Sequence, residues 1–169
     1  MTQTRDQLLA GLKEAILAEQ TGFQFYTVAA ANTTDARGRE IFQQMAREET
    51  EHQQWLSRQY GHLVGGTPWE EMKPVPHSDL SGPSPIFSDE LRSRIGEAHW
   101  EMTALSVGLA LEEATAIRYQ RLAQAAEQPE VRRFFDELAK WEESHAEALR
   151  RQSGLLKESY WHEAGFAPF

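Results

Sequence analysis

Two Glu-x-x-His pairs, Glu49 with His52 and Glu142 with His145, are the residues of this sequence best suited to chemistry. Residues three apart in a helix share one face, so each pair would present a carboxylate beside an imidazole. Carboxylate oxygen and imidazole nitrogen together are typical ligands of transition metals. One such pair is weak evidence, because 21 glutamates and 6 histidines in 169 residues produce about one by chance.

The two pairs belong to an internal repeat with an offset of 93 residues. At this offset Glu49 aligns with Glu142 and His52 with His145, and in each half another glutamate, Glu19 or Glu112, precedes the pair by 30 residues. Further identical residues align at the same offset: Leu12 with Leu105, Tyr26 with Tyr119, Ala30 with Ala123, Phe42 with Phe135, and Ala46 with Ala139. Chance does not readily give two such copies in register, so the sequence predicts two related helical hairpins.

All six ionisable side chains fall on the apolar faces of helical patterns. Burying a carboxylate without a partner costs several kcal/mol or forces it to take up a proton. Four such costs would exceed the roughly 5 to 15 kcal/mol net stability of a domain, and no Lys or Arg lies on these faces near the pairs. Two divalent cations would neutralise the four carboxylates.

The donor set narrows the choice of metal. It contains oxygen and imidazole nitrogen without sulfur, which favours iron or manganese over a structural zinc. Magnesium or calcium would not need the histidines. The residues alone leave iron and manganese open.

Helical periodicity runs through most of the chain, interrupted by a connection at residues 61–88 that holds four glycines and five prolines. The patterns predict these helices: one before Asp35, one from Asp35 to Tyr60 with Gly61 as its stop, one from Asp89 to about Gln128 with a break near residue 100, and one from Pro129 that ends before Gly154. We therefore predict one helical domain at residues 1–153 and a C-terminal tail at residues 154–169.

Composition excludes several classes of function. The net charge of −9 argues against broad contact with nucleic acid or an anionic membrane surface. No segment approaches the roughly 18 apolar residues of a membrane span, and the N-terminus lacks the pattern of a signal peptide. The absence of cysteine excludes disulfides and thiolate metal sites. These features predict a soluble, cytoplasmic protein that binds neither nucleic acid nor membranes.

The arrangement of one glutamate on each of two helices and Glu-x-x-His on each of two others is a known pattern of di-iron carboxylate bundles. Four segments carry it here: "AEQTGFQFY" with Glu19, "AREETEH" with Glu49 and His52, "LEEATAIRY" with Glu112, and "AKWEESH" with Glu142 and His145. On these segments the chain resembles the ferritin-like superfamily and, within it, the rubrerythrin group.

The resemblance implies an all-α, antiparallel four-helix bundle with a long crossover between its second and third helices. It also implies a dinuclear iron site at the centre of the bundle, and often a homodimer. Carried over position by position, it assigns these roles: Glu49 and Glu142 bridge the two ions, Glu19 and Glu112 are terminal carboxylate ligands, His52 and His145 are terminal imidazole ligands, and Tyr26 and Tyr119 donate hydrogen bonds to the carboxylates.

The sequence departs from the rubrerythrin pattern in two ways. Rubrerythrins usually add a rubredoxin domain with cysteine-bound iron, and this chain has no cysteine. Electrons would therefore come from an external donor such as a rubredoxin-like protein or a flavoprotein. Rubrerythrins also tend to carry an additional glutamate where this chain has Thr115, and its absence weakens the expectation of peroxidase activity.

Three functions follow as hypotheses. The first is reduction of hydrogen peroxide or dioxygen at the dinuclear iron site, which is chemistry that two adjacent metal ions support. The second is a ferroxidase or iron-handling role, in which Fe²⁺ is oxidised and passed to a store. The third is a bundle whose metal pair is purely structural.

The remaining polar and aromatic residues receive simpler interpretations. Glu48, Glu51 and Glu143 are predicted to face solvent, although Glu143 or Glu113 would become a ligand if the helical register were shifted by one residue. Plain core packing is an alternative role for the two tyrosines. The tryptophans, including Trp55 and Trp141, are predicted to be core or dimer contacts rather than an electron path.

Overall fold

The structure is a computed structural model that describes residues 5–71, 80, 82, 84–163 and 165. Its elements are helices α1 (Arg5–Asn32), α2 (Ala36–Gly65), α3 (Asp89–Ser93), α4 (His99–Ala125) and α5 (Pro129–Glu163), with a 3₁₀ turn at Ile95–Glu97 between α3 and α4. No strand occurs in the described ranges, and the prediction of an all-α fold is confirmed. None of the described helices is sufficiently long and apolar to span a bilayer.

The four long helices form two hairpins. Residues Thr33–Asp35 join α1 to α2, and residues 126–128 join α4 to α5, so the helices of each pair run antiparallel. The Asp35 carboxylate caps α2 by accepting a hydrogen bond from the Gly38 amide at 2.7 Å. Pro129 occupies the first residue of α5, where a missing amide hydrogen costs nothing. The hairpins meet where α1 packs against α4.

Two predicted helix ends are wrong. Helix α2 continues past Gly61 and ends at Gly65, where Gly66 adopts the left-handed conformation (φ 67°) and its amide bonds back to the His62 carbonyl. Helix α5 continues through Gly154 to Glu163, because Leu156 on its inner face is still buried in the core. A glycine inside a helix costs only about 1 kcal/mol, which packing against the core readily offsets.

The break predicted near residue 100 lies slightly earlier in the chain. The short helix α3 ends at Ser93, the 3₁₀ turn follows, and α4 begins at His99. Residues 72–79, 81 and 83 of the predicted connection, and residues 164 and 166–169 of the predicted tail, lie outside the described part of the chain.

The apolar core consists of two clusters, one at each end of the bundle. The first is built around Phe42, Met45, Ile86, Phe87, Leu105 and Leu149. The second is built around Leu12, Trp55, Leu56, Phe135 and Leu138. On each long helix the predicted metal ligands lie between residues of the first cluster and residues of the second. A layer of polar side chains therefore separates the two clusters.

Two glutamines related by the repeat offset hold the described ends of the connection. On α2, Gln59 bonds through both side-chain atoms to the Glu70 backbone, at 2.7 and 3.0 Å. On α5, the side-chain oxygen of Gln152 accepts the amides of Ile86 and Phe87, both at 2.9 Å. The connection is thereby attached to both hairpins by equivalent positions.

Candidate metal centre

All six predicted ligands are buried in one layer at the middle of the bundle, with side chains 0 to 3% exposed. They form two groups of donor atoms, each with all its atoms within 4.8 Å of one another. The first group contains Glu49, Glu112, Glu142 and His145, and the second contains Glu19, His52 and Glu142. Glu142 belongs to both groups, so the two potential metal positions are adjacent and share a carboxylate.

Helix geometry explains how the side chains meet. On α2 and α5 the Glu-x-x-His spacing places each carboxylate and imidazole on the inner face, while α1 and α4 contribute one glutamate each. The Nδ1 atom of His52 lies 3.3 Å from Glu19 Oε2 and 3.0 Å from Glu142 Oε1. The Nδ1 atom of His145 lies 3.8 Å from Glu112 Oε1. Both imidazoles therefore direct Nδ1 toward the carboxylates.

The electrostatics of this layer are unfavourable without a cation. Burial, followed by the negative charges of Glu19 and Glu142, raises the pKa of Glu49 well above its ordinary value. Burial and the neighbouring carboxylates likewise raise the pKa of Glu142. Both carboxyl groups consequently retain protons in the metal-free protein at pH values where an ordinary glutamate is ionised.

Two further predicted ligands, Glu112 and His145, also have shifted pKa values. Burial alone would raise the pKa of Glu112, but its contacts with Glu142 and His145 outweigh burial and lower it. Burial alone would lower the pKa of His145, but the carboxylates of Glu112 and Glu48 raise it to about 10. In the metal-free protein the His145 imidazolium thus supplies positive charge that a metal ion would replace.

Two further observations indicate that these donor atoms suit a pair of metal ions. Within the described residues, Glu19 Oε2 and both oxygens of Glu142 are buried and accept no hydrogen bond of normal geometry, and no Lys or Arg forms an ion pair with them. Gly22 faces Glu49, where a β-carbon would lie 2.7 Å from Glu49 Oε2. The missing side chain leaves room for this carboxylate, and the oxygen and nitrogen donors suit iron or manganese.

The two tyrosines join the hairpins across the centre. Tyr26 of α1 donates its hydroxyl hydrogen to Glu112 of α4, and Tyr119 of α4 donates to Glu19 of α1. Burial, followed by the nearby carboxylates, raises the pKa of both hydroxyls. Both tyrosines therefore stay protonated and act as donors that orient the carboxylates.

Glu48 is a residue of the site that the sequence interpretation missed. It was predicted to face solvent, but its side chain is 1% exposed and its Oε2 lies 2.8 Å from Nε2 of His145. Its other oxygen accepts a hydrogen bond from Gln44 at 2.8 Å. The available signal was its position four residues before His52, which places both residues on one side of α2.

The other glutamates and the tryptophans are placed as follows. Glu143 is exposed and accepts a hydrogen bond from Gln120, while Glu113 is exposed and pairs with Arg150 at 2.8 Å. Neither glutamate joins the donor groups, so the helical register is not shifted by one residue from the predicted one. Trp141 stacks on His52 with ring centroids 5.4 Å apart and an interplanar angle of 10°, and it also contacts Trp55 at 5.2 Å.

Comparison with known proteins agrees with this geometry. The family model described as Rubrerythrin matches residues 11–153, which extend from within α1 to within α5 and include every predicted ligand. No curated protein and no solved structure shows a significant match to the chain. The match covers far more than half of the sequence, and the chain belongs to the rubrerythrin family.

Proposed function

We propose that the chain binds two iron ions between its hairpins and uses them to reduce hydrogen peroxide or dioxygen. The observation that carries this proposal is the burial of four carboxylates and two imidazoles in two donor groups that share Glu142. When bound, a pair of redox-active ions supplies two electrons to a small oxygen species. Membership of the rubrerythrin family supports iron over manganese.

The protein would contribute binding, orientation and exclusion of water. Glu49 and Glu142 would be ligands to both ions, Glu112 and His145 would hold one ion, and Glu19 and His52 would hold the other. Tyr26 and Tyr119 would fix the terminal carboxylates by donating hydrogen bonds to them. The apolar clusters on both sides of the layer would keep bulk water out, which strengthens the electrostatic interactions inside it.

Metal analysis followed by peroxide titration tests the proposal. The metal-free protein is loaded anaerobically with Fe²⁺, desalted, analysed for iron and titrated with hydrogen peroxide. We expect two iron ions per chain and consumption of one peroxide per pair, because reduction of one peroxide to two waters takes two electrons. Rereduction should restore the same capacity. A protein that retains no iron, or that retains it without consuming peroxide or dioxygen, would refute the proposal.

A second candidate function is oxidation of Fe²⁺ as a substrate. The half-buried Thr115 occupies the position where the family resemblance predicts another glutamate, and this difference favours iron turnover over peroxide turnover. The same protein would then oxidise Fe²⁺ well beyond two equivalents per chain and retain the product. A metal pair that raises the melting temperature and undergoes no redox reaction would instead indicate a structural role.

We further propose an external electron donor and a homodimer. These 169 residues contain no cysteine to hold an electron-transfer iron, so a rubredoxin-like protein or a flavoprotein would supply the electrons. Support for self-association comes from apolar side chains exposed on α1 and α4: Leu17, Val28, Val107 and Ile117. Sedimentation of the wild-type protein and of Leu17→Glu would test the dimer, which the substitution should dissociate.

A further inference from the structure

The position before each bridging glutamate breaks the internal repeat. Glu48 on α2 and Trp141 on α5 are related by the offset of 93 residues, and each contacts the histidine of the opposite hairpin. Glu48 contacts His145, whereas Trp141 contacts His52. Equivalent places in the two hairpins therefore present a carboxylate to one imidazole and an aromatic ring to the other.

The Glu48 carboxylate is held firmly in place. It is 1% exposed, one of its oxygens accepts from Gln44 Nε2, and the other lies 2.8 Å from His145 Nε2. The opposite ring nitrogen of His145, Nδ1, faces Glu112 at 3.8 Å and Glu142 at 4.0 Å. A hydrogen on Nε2 that bonds to Glu48 leaves Nδ1 as the ring nitrogen that faces the donor group, and Nδ1 would offer its lone pair to a metal ion that displaces its proton.

Trp141 cannot accept a hydrogen bond from His52 in the way that Glu48 accepts one from His145. An indole has one N–H donor and no acceptor, so Trp141 cannot receive a hydrogen bond from an imidazole N–H. Its contact with His52 is a near-parallel ring stack, at 5.4 Å between centroids. The stack restricts the plane of the imidazole without selecting which ring nitrogen carries the hydrogen.

We propose that Glu48 is a positioning residue for metal binding, which acts through His145 on one of the two metal positions. A carboxylate that accepts the outer N–H of a ligating histidine fixes its tautomer and raises its basicity, and loss of such a partner typically costs about 10- to 100-fold in metal affinity. The inference rests on the proposed dinuclear centre, but it does not depend on which reaction the centre performs.

Stepwise metal titration tests the role of Glu48. Metal-free wild-type protein, Glu48→Ala and Glu48→Gln are titrated with Co²⁺, whose visible absorption reports each ion as it binds. We expect Glu48→Ala to weaken one of the two binding steps by about 10- to 100-fold and to leave the other within about threefold. Glu48→Gln retains an oxygen acceptor without the charge, so it should lie between the wild type and Glu48→Ala.

Glu51→Gln is the matched control, because it removes one negative charge from the same helix at a half-buried position outside the donor groups. It should leave both binding steps unchanged.

An NMR spectrum distinguishes a positioning role of Glu48 from a purely structural one. In the Zn²⁺-loaded protein, one imidazole N–H proton bonded to a carboxylate should resonate downfield, and Glu48→Gln should shift that resonance upfield while the remaining spectrum is preserved.

The outcomes distinguish the two proposals. Normal wild-type binding of two ions, with both steps unchanged in Glu48→Ala, would overturn the role of Glu48 and leave the dinuclear centre standing. Equal weakening of both steps would also overturn it, because a contact with His145 alone predicts an effect on one ion. A wild-type protein that bound no ion pair would refute the dinuclear centre itself.

Discussion

The α1–α2 hairpin and the α4–α5 hairpin present the same ligand types to the centre of the bundle but surround them differently. Each supplies two glutamates, one histidine and one tyrosine at equivalent positions. The neighbours of these residues differ at equivalent positions: Glu48 in the first hairpin corresponds to Trp141 in the second, and Gly22 corresponds to Thr115. The comparison teaches that the repeat preserves the buried carboxylates and imidazoles, which the proposed metal pair would need, whereas it does not preserve the neighbours of each group.

The ends of the hairpins differ as well. Gly38 begins the inner face of α2, and a β-carbon there would lie 2.3 Å from the ring of Phe87 in the connection. The equivalent position on α5 is Val131, which packs in the second apolar cluster. The connection therefore covers one end of the bundle through the contact between Phe87 and α2. At the other end, Trp69 of the connection packs on Phe134 and Phe135 of α5.

The largest effect is expected from removing a central carboxylate of the buried layer. Glu142→Ala and Glu49→Ala should each abolish retention of the proposed ion pair, because each removes a donor that lies close to both Glu19 and Glu112. Elemental analysis after loading and desalting measures the retained metal. Glu143→Ala is the matched control on α5 and should retain both ions. Full metal content in Glu142→Ala would mean that the ligand assignment is incorrect.

A smaller loss of metal affinity is expected from substituting Gly22, whose equivalent in the other hairpin is Thr115. In Gly22→Ala the new β-carbon would lie 2.7 Å from Oε2 and 2.8 Å from Cδ of Glu49. The flexible carboxylate can move aside, so the fold should persist while metal affinity falls by about tenfold or more. Metal titration and thermal melting measure the two effects. The paired variant, Thr115→Ala, should bind normally, and equal losses in both variants would contradict the asymmetry.

Glu49, Glu142 and His145 also predict how pH affects the metal-free protein. Because folding raises the pKa of Glu49 and Glu142 from 4.5 and that of His145 from 6.5 to about 10, the folded state binds more protons than the unfolded state. Stability is therefore greatest below pH 4.5 with respect to these groups and falls as pH rises, by about 1.4 kcal/mol per pH unit for each proton concerned.

Urea unfolding of the metal-free protein between pH 4 and pH 8 measures this decline. Glu49→Gln replaces one titrating carboxyl group with a neutral amide, so its stability should depend less steeply on pH than that of the wild type. Metal affinity should rise over the same range, since ions compete with the protons on these groups. A stability that increased with pH would contradict the prediction.

The smallest effects are expected from substituting Tyr26 and Tyr119, which occupy equivalent positions in the two hairpins. Tyr26→Phe and Tyr119→Phe each remove one hydrogen bond to a carboxylate of the opposite hairpin. Each should cost about 1 to 2 kcal/mol in the free energy of unfolding of the loaded protein, and the two costs should be similar. Chemical denaturation measures them. A large effect of one substitution and none of the other would show that the asymmetry extends to the tyrosines.

The burial of the four carboxylates and two imidazoles in one layer could be predicted from the sequence, because they are ionisable residues on otherwise apolar helical faces, repeated in register. The hydrogen bonds of Tyr26 and Tyr119 to the carboxylates were expected from the family resemblance, since the residue pattern alone left plain core packing open. Glu48 was missed although its position four residues before His52 was an available signal, because its burial also depends on where α5 places His145. The ends of α2 and α5 were missed because Gly61 and Gly154 resemble stop signals, whereas burial beyond them decides where each helix ends.

The division of the apolar core has a consequence for the effect of metal loss. Each cluster consists of apolar and tyrosine side chains and contains none of the predicted ligands. Loss of the proposed metal pair would therefore be expected to loosen the polar layer in the middle of the bundle while both ends stay packed.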